Sequence, residues 1–343
     1  MRLMQVMAGG PHGGAEAFFE RLALALALHA PDIDQLLAFR RDAGRAARMQ
    51  AAGLRIAEFA FGGRLDWLTP RQLRTLAKSF EPDVTISWMS RGTRMAPAAP
   101  GILIGRLDGY YKLKSFRHCD RLIAITPGIR DYALGAGWPA DRVHLIPNFV
   151  ATPDPGPAEP RSAHQTPEGR HLLLALGRLH PVKGYDVLLH ALARLPRAML
   201  WIAGEGAEGP KLKALAESLG VAERVRWLGW RQDVAPLFRA ADICVSSSRF
   251  ESFGHVITEA WAHCKPIVST DAVGPAGTIT EGEDGLLVPT DSAEALASAL
   301  RQMLENPAEA AAMAAAGHAV YAARYSEAVV VRQYRDLFAS ILR

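Results

Sequence analysis

The residues best placed by type and spacing to do chemistry lie in Glu251-Ser-Phe-Gly-His-Val-Ile-Thr-Glu259, where seven residues separate two carboxylates. An apolar run ending in serines, Ala241 to Ser248, precedes them and Pro266-Ile-Val-Ser269 follows. The pattern reads as strand, loop, short helix and strand. With a helix start near Gly254, Glu251 lies in the loop before the helix and Glu259 more than one turn inside it. Both acids then face one crevice from different heights. The backbone N–H groups of Phe253, Gly254 and His255 fall at the positive end of the helix dipole, which favours an anion such as a phosphate. One segment thus offers carboxylates for hydroxyl groups and amides for a diphosphate.

Two cations stand upstream, in Gly177-Arg-Leu-His-Pro-Val-Lys-Gly184. A turn there delivers Arg178 and Lys183 to one crevice at the start of a helix, an arrangement suited to clamping a diphosphate. A basic pair beside a turn also fits a plain solvated surface. His255, Glu259 and His263 share a helix face, but the two histidines are two turns apart and H-E-x-x-H is absent, so no metal site is expected. Cys119, Cys244 and Cys264 are odd in number and lack zinc-like spacing, which points to a reduced cytoplasmic protein without disulfides.

The elements that must hold these groups alternate between strand and helix. Residues 2–7 read as a short buried strand, followed by the glycine-rich Ala8 to Gly14 and an amphipathic helix from about Ala15 to His29. A Rossmann-like domain begins this way. The glycines do not spell G-x-G-x-x-G and no acid closes the next strand, so a nicotinamide site is not expected. The turn either needs positive φ for its own sake or presents backbone to a ligand. Further strands are expected at Gln35 to Phe39, Val84 to Trp88, Ile102 to Arg106, Leu122 to Ile125 and Val143 to Ile146, with a helix from Thr69 to Phe80. Such alternation implies a parallel sheet covered on both faces.

Arg91, just past one strand, and Arg106, Asp108 and Tyr110, leaving another, fall where an open α/β sheet binds ligands. They are the candidate acceptor side, with ordinary surface as the competing reading. Arginines 41, 45, 48, 55, 64 and 71, interleaved with Phe59, Phe61, Trp67 and Leu68, suit contact with anionic lipid headgroups or a solvated helical face beside core aromatics.

Residues 147–167 lose all periodicity and crowd with prolines, which reads as an extended, exposed linker. The alternation then restarts: strands at His171 to Leu176, Met199 to Ala203, Val225 to Leu228 and Ile243 to Ser246, with helices between. Alanine-rich helices close the chain, and the last is expected to cross back onto the first domain. The expected division is residues 1–148, a linker at 149–168, a second domain at 169–325 and the terminal helix at 326–343. A length of 343 residues, 49% of them hydrophobic, allows two separate cores. The net charge of +4, from 39 Lys and Arg against 35 Asp and Glu, suits an acidic small ligand or an anionic membrane surface and does not call for nucleic acid. Leu22 to Leu28 is too short to span a bilayer.

Together, the glycine pair after the first strand, G-R-L-x-x-x-K-G, G-E-G and E-x-F-G-x-x-x-x-E, with Ile146-Pro-Asn148 and Glu283-Asp-Gly-Leu-Leu-Val-Pro289, resemble the retaining glycosyltransferases of family 4. The order and spacing match along nearly the whole chain. The resemblance implies a GT-B fold, two Rossmann-like doubly wound parallel-sheet domains facing across a cleft, with the nucleotide-sugar donor on the second and a saccharide or lipid-linked acceptor on the first. It implies that Arg178 and Lys183 hold the donor diphosphate, that Glu251 faces the sugar hydroxyls and that Glu259 receives the ribose. Phe253 and Gly254 would present amides to the sugar or phosphate, and Gly13 and Gly14 would let the first loop approach the phosphate. Gly177, Gly204, Trp230 and Arg231 complete the implied donor set. Where many relatives carry a histidine near the sugar, this chain reads Gly105-Arg-Leu-Asp-Gly109, with Asp108 as the candidate substitute.

The resemblance further implies attack on the face from which the phosphate departs, with a phosphate oxygen taking the acceptor's proton, so that no metal, cofactor or dedicated protein base is required. The donor is a substrate, and UDP- and GDP-sugars both fit. The setting it suggests is cell-envelope polysaccharide or lipopolysaccharide synthesis. A glycosidase reading of Glu251 and Glu259 is weakened by this scheme. A sugar-nucleotide epimerase of the same fold, or a non-catalytic nucleotide-sugar binder, remains open; turnover of a UDP-sugar alone to an epimer distinguishes the first, and the presence of both acids argues against the second.

Overall fold

A computed structural model describes residues 1–10, 13–63 and 65–342 of the chain. It divides into two units, one made of Met1–Asn148 with Glu327–Arg343 and the other of Phe149–Ser326.

Among the described residues the first unit holds seven strands: β1 (Arg2–Met7), β2 (Asp34–Arg40), β3 (Arg55–Phe59), β4 (Val84–Trp88), β5 (Ile102–Leu107), β6 (Arg121–Ala124) and β7 (Val143–Leu145). They pair in the order β3-β2-β1-β4-β5-β6-β7, all parallel. β1 is buried along nearly its full length, as a strand covered on both faces must be. β3 and the helix Ala43–Ala51 emerge from the arginine-rich stretch, where the charges hid the short apolar pattern of Ile56, Ala57 and Phe59. Asp42 caps that helix by accepting from Arg45 N at 3.0 Å. The last helix, Glu327–Ile341, packs against the helix Gly14–His29, fastened by His29–Glu327 at 2.8 Å and Arg335–Asp32 at 3.3 Å.

The second unit holds β8 (His171–Leu176), β9 (Ala198–Ala203), β10 (Val225–Gly229), β11 (Ile243–Ser246), β12 (Ile267–Thr270) and β13 (Leu286–Val288), in the order β10-β9-β8-β11-β12-β13 and again all parallel. Alternate residues of β8 feed two cores. Leu173 and Ala175 pack with Leu188, Leu200 and Leu300, while Leu172 and Leu174 pack with Trp201, Phe238 and Trp261. The strand period of two thus buries both faces under helices.

The proline-rich segment differs from a free linker. It is largely exposed and has no regular structure before a single helical turn at Arg161–His164, yet Arg161 donates to Ala240 O at 2.6 Å and pairs with Asp242 at 2.6 Å, Arg239 donates to Pro157 O at 3.0 Å, and Trp201 Nε1 donates to Thr166 Oγ1 at 2.9 Å. Prolines lack the N–H that would build a ladder, so side chains of the second unit do the fastening. Among the described residues, no helix is long and apolar enough to cross a membrane.

Candidate functional site

In each sheet the strand order reverses direction beside the first strand, between β1 and β4 and between β8 and β11. The crevice outside the carboxyl ends of two such strands is the usual ligand position of an open α/β sheet. In the second unit the loops leaving β8 and β11 carry both sequence-predicted clusters. Ser247 Oγ donates to Lys183 O at 2.9 Å and Arg249 N donates to Val182 O at 2.8 Å. Gly184 (φ +63) lies against the Ser247 carbonyl, which leaves no room for a Cβ. Arg249 adds a bidentate grip on Asp186 at 2.9 and 2.7 Å and a bond to Asp291 at 2.6 Å. Its hydrogen bonds hold the Asp186 carboxyl below the usual range.

Across this staple the Lys183 ammonium meets Glu251 Oε2 at 2.5 Å, with both side chains about a fifth exposed. Tyr185, buried beneath, donates to Gly177 O at 3.0 Å. Arg178 is exposed, and its side chain makes no hydrogen bond or ion pair among the described residues. The chemistry available is therefore one cation set beside a carboxylate and a second, unspent cation at the same loop.

The helix following the acid loop begins at His255, with Gly254 (φ +90) as its cap residue. The Glu251 carbonyl accepts from Gly274 N at 2.8 Å, which ties the loop to the segment after β12. Phe253 is buried, its ring 4.9 Å from His255 and 6.0 Å from Tyr325. Glu259 sits half-buried inside the helix, close enough to Cys244 for its charge to add to the burial that pushes that thiol up. His263 stacks flat on Phe238 at 5.0 Å, and burial, with Arg239 and Lys265 nearby, lowers its pKa to about 4. It stays neutral at physiological pH. Among the described residues no group of three or more His, Cys, Asp or Glu side chains is placed to hold a metal ion.

Gly204 and Gly206 bring the next loop against the Gly177 and Leu179 backbones, too close for a Cβ at either position. Leu179 N donates to Glu205 O at 2.8 Å. Trp230 is 63% exposed beside Glu205, whose Oε1 accepts from Trp230 N at 3.2 Å. Arg231 is not a free cation: it bonds Glu159 at 3.3 Å and Asp233 at 3.0 Å, so it shapes the loop.

The acceptor-side residues separate. Arg91 is exposed and lines a cavity of about 410 Å³ at the β1–β4 crevice. Arg106 instead is fully buried: its Nε donates to Tyr334 Oη at 2.9 Å, it bonds Asn148 and pairs with Asp108, and its guanidinium lies 4.6 and 4.5 Å from the Phe18 and Trp88 ring centres. Arg106 and Asp108 are thus corrected from acceptor contacts to core pairing, because the helices Gly14–His29 and Glu327–Ile341 cover the end of β5 through Phe18 and Tyr334. Tyr110 packs on Tyr132, ring centres 5.4 Å apart, outside the cavity lining.

The first turn of the helix Gly14–His29 holds a residue that no sequence motif marks. Glu16 is buried, its carboxylate packs on Gly9 and Gly13, and Oε1 accepts from Gly10 N at 3.1 Å. Arg40 was missed as well, although it stands one position past an expected strand and so at the ligand edge. The basic stretch around it is largely structural: Arg45 is fully buried on Glu20 at 2.8 Å, Arg48 shares that acid at 2.8 Å, and Arg55 pairs with Asp34 at 3.2 Å. Arg64 lies outside the described residues.

Residues 158–320 match the family description "Glycosyl transferases group 1". The chain is 34% identical over 337 residues to the lipopolysaccharide core biosynthesis glycosyltransferase LpsE of Rhizobium meliloti, covering 96% of this chain and 97% of that one. It is 32% identical to LpsD of the same organism, covering 96% of each. In structure it is similar to a Rickettsia africae glycosyltransferase, with a TM-score of 0.89 at 18% identity over 100% of this chain and 98% of that one. It is likewise similar to Anabaena Alr3699/HepE in complex with UDP and glucose, with a TM-score of 0.84 at 22% identity over 99% and 100%. With two parallel-sheet Rossmann-like units and a near full-length relative of this identity, the chain belongs to the group 1 glycosyltransferases.

Proposed function

We propose that the protein transfers a sugar from a nucleoside-diphosphate donor, a UDP- or GDP-sugar, to a saccharide or lipid-linked acceptor of the cell envelope, with retention and without a metal. The observation that carries the reading is the Lys183–Glu251 pair at the β8–β11 crevice with Arg178 beside it. Breaking a sugar–phosphate bond leaves an oxocarbenium-like carbon and a more negative diphosphate, so stabilising the leaving group is the main demand. Arg178 and Lys183 meet it, while Glu251 orients Lys183 and accepts hydrogen bonds from the sugar. Gly204, Trp230, Phe253 and Gly254 shape the donor pocket, and Glu259 takes the ribose. The C1–O bond to phosphate breaks, the acceptor oxygen bonds to C1 on the same face, and the acceptor's proton passes to a phosphate oxygen. No protein base is needed.

The names of the relatives support the setting: two are lipopolysaccharide core enzymes, and others are D-inositol 3-phosphate glycosyltransferases, whose name specifies a phosphate-bearing acceptor. A cytoplasmic protein resting on the inner membrane face fits Leu65, Trp67 and Leu68, which are 91%, 62% and 53% exposed beside Arg71 and Arg74. Thermal-shift measurement against UDP-, GDP- and ADP-sugars tests the donor, since a ligand of the native state raises the melting temperature. A shift with one nucleotide class, followed by transfer with the anomeric configuration kept, is expected. No shift with any of the three, or product of inverted configuration, refutes the reading.

A further inference from the structure

The cavity at the β1–β4 crevice of the first unit carries a charge pattern that the donor chemistry does not use. Its walls come from the loop after β1, from the end of β2 and from the segment after β4. Arg40, the last residue of β2, is exposed and makes no side-chain hydrogen bond or ion pair among the described residues. Arg91 gives one hydrogen bond, to the Phe61 carbonyl at 3.4 Å. Both guanidinium groups therefore keep donors to spend.

The backbone fixes this edge firmly. Met89 takes φ +58, a conformation unfavourable for a residue with a side chain, and so turns the chain sharply from β4 to place Ser90 and Arg91 at the cavity. Gly92 presses the following turn onto β1, where an added Cβ would lie 2.9 Å from the Val6 carbonyl oxygen. On the opposite wall Glu16 is anchored by the Gly10 amide. Tyr111 is largely buried, which raises its pKa, so its phenol keeps its proton and can donate.

Two cations, one fixed carboxylate and neutral donors select by subtraction. A neutral sugar would leave both guanidinium groups without an anion, and a diphosphate would set its second charge against Glu16. One acidic group together with hydroxyls satisfies every side chain present. We propose that this cavity binds an acidic saccharide unit, its single carboxylate or phosphate ester held by Arg40 and Arg91 and its hydroxyls by Glu16, Ser90 and Tyr111. The proposal rests on the transferase reading, for which it names the acceptor class.

The test is calorimetric binding of D-glucuronate, D-glucose 6-phosphate, inorganic phosphate and D-glucose to the full chain. At least one acidic sugar binds about tenfold more tightly than glucose, as expected for a charge-assisted clamp, and more tightly than inorganic phosphate. Which acid wins identifies carboxylate or phosphate as the anion. Arg40→Gln with Arg91→Gln abolishes the preference, whereas Arg40→Lys with Arg91→Lys, which keeps the charge, retains part of it. The melting temperature and the UDP-sugar shift of both variants stay at the parent values. Equal binding of glucose and both acids, phosphate binding as tightly as the acidic sugars, or a preference that survives the glutamine double variant overturns the proposal. An absent shift with UDP-, GDP- and ADP-sugars alike refutes the transferase reading separately, because that response reads the β8–β11 crevice and the acids read this one.

Discussion

The β1–β4 and β8–β11 crevices are built on the same strand arrangement and use it oppositely. At β8–β11 the acid and the cation belong to different loops and bond each other, Lys183 to Glu251 at 2.5 Å, with Arg249 stapling the loops together. At β1–β4 the acid, Glu16, accepts from the backbone of the preceding loop and pairs with neither arginine, and the two arginines face the cavity without a carboxylate partner among the described residues. A parallel sheet thus supplies a place for a ligand and leaves its chemistry to the loops. Preorganised charge suits a reaction in which charge develops, and unspent charge suits recognition of a ligand that brings its own.

The largest effect that sharpens this contrast separates buried from exposed arginine in the first unit. Arg106→Ala leaves Asp108 buried without its partner and is expected to cost about 3–5 kcal/mol, read as a lowered urea midpoint. Arg91→Ala is expected to change stability by less than about 0.5 kcal/mol. Equal stability losses would erase the distinction between the two positions.

Next comes the pair proposed to act in catalysis. Lys183→Ala is expected to lower kcat about 100- to 1,000-fold, and Glu251→Ala to abolish measurable transfer, each with the fold retained by circular dichroism. Turnover at the parent rate in both would show that the β8–β11 charges do not handle the leaving group. Gly204→Ala, which forces a Cβ onto the Gly177 carbonyl, is expected to destabilise by about 1–3 kcal/mol and to weaken donor binding in a thermal-shift titration.

The smallest effect is in pH. Asp186 and Glu159 have ordinary values of 3.8 and 4.5 and are held lower in the folded protein by hydrogen bonds from Arg249 and Arg231. Folding then strengthens as these groups ionise: their contribution is complete above those ordinary values and is lost as the pH falls through the depressed folded ones. Arg249→Met is expected to flatten the fall in melting temperature between about pH 5 and pH 3, and an unchanged slope would exclude the staple as its source.

Local rules made much of this readable. Alternation and turn residues placed most strands to within a residue or two, because strand burial and turn chemistry depend on neighbours along the chain. The placement of Arg178, Lys183 and Glu251 after strand ends was legible for the same reason, each belonging to a loop that leaves one strand. Other features escaped. Arg40 and Glu16 lie in no motif, Arg106 and Arg91 look alike by position, and the prolines conceal a segment fastened by Arg161 and Arg239.

By itself, then, the sequence determined two alternating halves, the glycine-rich turns and the residue types at each loop. Only the tertiary structure decided which loops meet. Lys183 reaches Glu251 across 68 positions because β8 and β11 are neighbours while β9 and β10 turn away. Strand order is set by the packing of helices on both faces and by right-handed crossovers, which no short window of sequence records.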